Sequence, residues 1–201
     1  MVSTKLHPDF DLPGQGSPIS RLSSITGSLV HMLVPWIPPS EAEVDRALDV
    51  LGMGRGAQCT CAYCGATRTE WDHLRPLVRN KRPTGYITEL ANLVPACGKC
   101  NQSKSGADWR PWLLEGNSQR HPRSRGASTQ DLERRAARLS AFELAFPPHH
   151  IDFEALLGAE QWKTYWDHLV AIEEALRRST SEGERLRAAL ESTLRNTGVV
   201  V

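Results

Sequence analysis

Four cysteines in two matched pairs constrain this chain of 201 residues more than any other feature. Cys61-x2-Cys64 and Cys97-x2-Cys100 are separated by 32 residues, and each CxxC forms a tight knuckle that can turn two thiolates toward one tetrahedral ion. Paired knuckles predict a closed, structural zinc site. The fifth cysteine, Cys59, is spare, and could replace Cys61 as a ligand only by changing the geometry of the first knuckle. An odd number of cysteines in two clusters makes a poor disulfide framework and suits a reducing, cytoplasmic setting.

A metal clip alone would make a binding module, so any chemistry must come from what lies between the knuckles. Asp72-His73 sits in a short strand-like stretch in which neighbouring side chains point to opposite faces. Asn92 follows in "ELANLVPAC", and Asn101 and Lys104 come just after the last cysteine. The net charge of +1 excludes nothing by itself. Its distribution is more informative: between Cys61 and Arg125 eleven Lys/Arg face five Asp/Glu, and the remainder of the chain is acidic.

The segments "CAYCG", "EWDHLRPL", "ANLVPAC" and "CGKCNQSK", in this order, resemble the zinc-stabilised HNH nucleases of the ββα-metal class over about residues 58–113. The resemblance implies an α+β fold with a ββα-metal core held by a zinc site at Cys61, Cys64, Cys97 and Cys100. It implies His73 as the general base, a neutral imidazole that takes a proton from the attacking water. Asp72 resembles the first ligand of a catalytic Mg²⁺ or Mn²⁺ ion. Asn101 falls where many members carry the motif's last histidine, so the second ligand would be an amide oxygen. Asn92 resembles the middle asparagine, which pins the loop that orients the base. Lys104, about one helical turn past Asn101, would place an ammonium on the same phosphate.

The loop "RPLVRNKRPTGYITEL" offers Arg75, Arg79, Lys81 and Arg82 to a phosphodiester backbone, with Lys104 and Arg110 as further contacts and Arg120, Arg123 and Arg125 extending the track. Trp109 and Trp112 read as core. His7, His31, His121, His149, His150 and His168 read as structural or solvated.

The flanks are different in kind. Residues 1–56 read as an irregular, proline-rich arm followed by one helix, in "PPSEAEVDRALDVLGMG", capped by Ser40. Residues 57–116 hold the nuclease domain. The basic stretch "GNSQRHPRSRGAS" reads as a linker or a loop against an anion, and residues 126–201 as three amphipathic helices serving DNA binding or dimerisation. The most apolar run, residues 28–37, is about ten residues long and interrupted by His31 and Pro35, so no membrane span or signal peptide is expected. The expected function is a metal-dependent endonuclease cutting double-stranded DNA in restriction or defence, as a homodimer if both strands are cut. The alternatives are a non-catalytic zinc module that binds nucleic acid, or an RNA-directed or homing-type nuclease.

Overall fold

A computed structural model describes residues 14–54 and 58–198. His7, Pro8, Pro13 and the boundary drawn at residues 56 and 57 lie outside them. The chain divides into two compact units, one formed by residues up to Thr26 with those from Glu160 onward, the other by Gly27–Ala159.

The second unit is built on a ββα element. Strand β1 (Glu70–His73) pairs antiparallel with β4 (Leu93–Ala96), in the register Asp72↔Val94 and His73↔Leu93, and helix α3 (Gly98–Lys104) follows directly. Between them, β2 (Val78–Arg79) and β3 (Arg82–Pro83) form a two-stranded hairpin whose turn residues Asn80 and Lys81 both have positive φ, at 51° and 61°. That is the turn geometry whose twist matches the flanking strands. The expected α+β class with an HNH-type core is therefore present.

Helices enclose this element. Helix α2 (Glu41–Val50) starts at the expected Ser40, where Ser40 and Glu43 form a reciprocal capping box. Helix α4 (Trp109–Glu115) follows α3, and α5 (Thr129–Ala145) packs on both α2 and α4. Leu74, Val94, Trp109, Leu113, Leu139 and Phe142 are buried in one cluster with the knuckle cysteines. Trp109 is thus core, as its neighbours predicted.

Three expectations need correction. Residues expected to be irregular form helix α1 (Leu22–Leu33), because Val30 and Val34 come four apart and both bury, an apolar pattern the surrounding prolines obscured. The basic stretch after α4 is no free linker. His121 is fully buried, Nε2 donates to Trp112 O at 2.9 Å and Nδ1 accepts from the Arg123 backbone N–H, while the Arg123 guanidinium bonds Leu114 O. Of the three helices expected in the C-terminal half, the first is α5, the second and third run together as one long helix, α7 (Ala159–Asn196), and a short α6 (Phe153–Leu157) lies between. Gly183 does not break α7, since a lone helical glycine costs only about 1 kcal/mol and the pairs Glu173–Arg177, Glu174–Arg178 and Glu182–Arg185 brace the turns on either side.

In the first unit Thr180 anchors the residues before α1: its hydroxyl lies 3.3 Å from Ser17 Oγ and accepts from the Ile19 N–H at 3.2 Å. Farther along α7, Leu186, Leu190 and Leu194 are exposed at four-residue spacing. No helix among the described residues is long and apolar enough to cross a membrane.

Candidate active site

The knuckles meet. The Sγ atoms of Cys61, Cys64, Cys97 and Cys100 all lie within 4.8 Å of one another, and Cys64 and Cys97 are 3.7 Å apart. The first knuckle closes through Gly65, whose φ of 76° few other residues accept and whose N–H bonds Cys61 O at 2.7 Å. The second opens α3, with the Asn101 N–H on Cys97 O. Cys59 stands outside the group. Four thiols this close cannot all ionise without a cation. Hydrogen bonds from Cys100 and then Cys61 hold the Cys64 thiol well below its ordinary range, while those to Cys61 and Cys64, with burial, push Cys100 far above. Arg125 extends a guanidinium N–H to Cys100 Sγ at 2.8 Å, and Arg135 reaches Cys61 O at 3.5 Å, so arginines surround the sulfur cluster from outside the knuckles.

Strand alternation sorts the reactive pair. Asp72 turns inward and is 5% exposed; its Oδ2 accepts the Tyr63 hydroxyl at 2.6 Å and lies 3.1 Å from Lys104 Nζ. Lys104 is 1% exposed and also donates to His73 O at 2.8 Å. Burial raises the Asp72 carboxyl and lowers the Lys104 ammonium, and each is the main counterweight for the other. The expectation that Lys104 reaches a phosphate is thereby corrected: its stem threads the core, and its charge serves Asp72 and the backbone carbonyl of His73. Tyr63, inside the first knuckle, was missed; its position in "CAYCG" gives no hint that its hydroxyl meets Asp72.

Asn92 is fully buried. Its Oδ1 accepts from the Arg75 N–H at 2.7 Å, and Nδ2 donates to Arg75 O and Ile87 O at 3.0 and 3.1 Å. One amide thus ties both ends of the loop from residue 75 to residue 87. Asn101 donates through Nδ2 to Glu70 Oε2 at 3.0 Å. Glu70 was also missed, though strand period places it on the Asp72 face.

His73 projects from the opposite face of β1. Its Nε2 lies 3.0 Å from the Thr88 hydroxyl, and its ring centroid is 5.9 Å from that of His31. Burial first, then the neighbouring His31 and Lys104, lower its pKa from 6.5 to about 4, so the imidazole is neutral at physiological pH and able to accept a proton. Thr88 and His31 were not foreseen as partners of His73, since nothing local in sequence joins positions 31, 73 and 88. Next to Thr88 in the chain, Glu89 takes the backbone N–H and Nδ1–H of His149 on its buried carboxylate, at 2.6 and 2.7 Å.

The expected basic track is largely fastened to the protein. Arg75 Nε lies 2.6 Å from Glu143, Arg79 lies 3.0 Å from Asp108, and Arg110 bonds the Ser140 hydroxyl at 2.6 Å. Arg79, Lys81 and Arg82 remain exposed at the hairpin tip. Arg123 and Arg125, expected to lengthen the track, hold Leu114 O and Cys100.

Comparison with known proteins finds similarities over the same region. The model of the HNH endonuclease family matches residues 61–106. Over 78 residues the chain is 33% identical to the CRISPR-associated endonuclease Cas9 of Corynebacterium diphtheriae, an alignment covering 37% of this chain and 6% of that protein. No solved structure gives a match.

Proposed function

From the HNH endonuclease domain at residues 61–106, we propose that this chain is a metal-dependent endonuclease hydrolysing phosphodiester bonds in double-stranded DNA, in restriction or defence within the cytoplasm. The observation that carries the reading is a neutral His73 held by Thr88 beside a buried Asp72, on the strand that pairs with the segment leading into the second knuckle.

Two ions belong to this reading. Zinc suits the four thiolates, because tetrahedral Zn–S bonds of about 2.3 Å require sulfurs about 3.8 Å apart, and Cys64 and Cys97 stand at 3.7 Å. A hard divalent ion, Mg²⁺ or Mn²⁺, would be held by Asp72 and Asn101. A carboxylate offers about four lone-pair sites, so Asp72 can add a ligand bond to those it makes with Tyr63 and Lys104, and Asn101 keeps Oδ1 as its acceptor while Nδ2 is held by Glu70. When bound, that ion supplies positive charge to the phosphate and its leaving oxygen.

The protein's own groups do the rest. His73 accepts the proton of the attacking water. The Lys104 ammonium on His73 O and the Asn92 amide on Arg75 fix the backbone on both sides of the base, so that its ring is presented without loss of order on binding. Arg79, Lys81 and Arg82 at the hairpin tip meet the backbone of the duplex. A single site cuts one strand, and the leucines exposed on α7 make a second copy of this chain the partner for the other; a monomeric mass by light scattering with DNA bound would argue against it.

One observation favours a competing reading. Lys104 already neutralises Asp72, as befits a zinc-stabilised scaffold that binds nucleic acid without cutting it. Incubating the protein and His73→Ala with plasmid DNA and Mg²⁺, Mn²⁺ or EDTA separates the two. Cleavage that needs both the ion and His73, with DNA affinity kept in the variant, is expected; intact DNA under every condition would leave the binding scaffold.

A further inference from the structure

One of the two side chains described beside His73, that of His31, comes from outside the segment that matches the family. Helix α1 is seated by Val30, fully buried, and Val34, 7% exposed, while His31 between them faces solvent. Beyond α1 the chain runs parallel to residue 88: Trp36 bridges Thr88, the Thr88 N–H donates to Pro35 O at 3.1 Å, and the Ile37 N–H donates to Thr88 O at 2.9 Å. The Thr88 hydroxyl then meets His73 Nε2 at 3.0 Å. His31 is thus placed against the base from two directions, by the packing of its own helix and by the strand-like segment that follows.

The spacing of the two rings is informative. Their centroids are 5.9 Å apart with planes at 52°, so they do not stack face to face. A hydrogen bond spans about 2.7–3.0 Å between heavy atoms, so a phosphate oxygen and the attacking water, which lie close together, can each meet one of the two rings. Two of the other cations near His73 are committed, Lys104 to Asp72 and His73 O and Arg75 to Glu143.

Resting on the nuclease reading, we propose that His31 is a second substrate-contacting imidazole, donating a hydrogen bond to a non-bridging oxygen of the phosphate that is cut. In the step it serves, the water oxygen bonds to phosphorus as its proton passes to His73. The bond from phosphorus to the 3′ oxygen breaks, and that oxygen takes a proton from solvent. Charge grows on the non-bridging oxygens as the fifth bond forms, so a fixed donor there lowers the barrier without tightening ground-state binding.

The test compares the wild-type protein with His31→Ala, His31→Phe and His31→Gln in single-turnover cleavage of plasmid DNA with Mg²⁺ or Mn²⁺. Alanine and phenylalanine should both slow cleavage at saturating DNA, by on the order of 100-fold, with DNA affinity unchanged. Glutamine, which restores an N–H, should recover part of the loss. Sulfur in place of a non-bridging oxygen at the cut should slow the wild type more than His31→Ala. Phenylalanine keeps a ring against His73, so cleavage by His31→Phe at the wild-type rate would reduce His31 to packing and overturn the proposal, as would an unimpaired His31→Ala. Should alanine unfold α1, the phenylalanine and glutamine variants decide alone. Failure of the wild type to cut under any condition would sink the nuclease reading itself, whereas an active wild type with indifferent His31 variants sinks only this inference.

Discussion

Replacing Lys104 by methionine removes an ammonium 3.1 Å from Asp72 Oδ2, with both side chains almost entirely out of water. The carboxylate is then buried beside Tyr63 with no cation, and breaking one side of such a pair costs about 3–5 kcal/mol. Urea unfolding should show that loss for Lys104→Met and recover most of it in the double variant Lys104→Met/Asp72→Asn; equal losses in both would mean that the ammonium matters through His73 O instead. The pair also shows where sequence reading stops at this scale. Lys104 follows Asn101 by three positions, and that spacing allows either an exposed ammonium on a phosphate or an interior one on Asp72. Only the packing of α3 against β1 chooses between them. His31 and Thr88 were invisible for the same reason, since their relation to His73 exists only once α1 and the following segment have docked.

At the scale of elements, local signals were readable wherever a short stretch is sufficient in itself. Ser40 announced α2 because a helix cap involves only the first turn, and the strand-like stretch around Asp72-His73 is β1. Signals failed where a residue's neighbours came from elsewhere. The stretch at 117–127 reads as a polar linker, yet His121 is buried under Trp112 and locked as a neutral tautomer. Burial, the first cause, lowers the His121 pKa below 6.5. The unfolded chain therefore binds the extra proton first, so this contribution to stability is complete above pH 6.5 and is lost as pH falls toward the folded value. Unfolding free energies between pH 7.5 and 5 should decline less steeply in His121→Gln than in the wild type. In α7, two helices expected to be separate run on as one through Gly183. Gly183 has nothing within 4 Å of a Cβ placed on it, and its φ is not positive. Gly183→Ala should raise stability by about 0.5–1 kcal/mol, whereas a true break there would make the change neutral or harmful.

A hydrophobic core is built around the knuckles, so we expect the fold to depend on the ion they would hold. Cys61, Cys97 and Cys100 are buried in the same cluster as Trp109 and Phe142. With zinc bound, a thiol reagent should label Cys59 rapidly and spare the other four cysteines; after chelation all five should react, and tryptophan emission should shift to the red as Trp109 meets water. Labelling of a single thiol in both states would show a core that stands without the ion. Thr88 gives the fold a different kind of dependence. Its peptide N–H and C=O are both taken by Pro35 and Ile37, and its hydroxyl by His73. The motif shared with relatives is therefore not a portable cassette. A fragment cut at the borders of residues 57–116, or grafted into another host, would carry His73 but leave behind the chain that steadies it, and a transplantable unit has to begin upstream of Pro35.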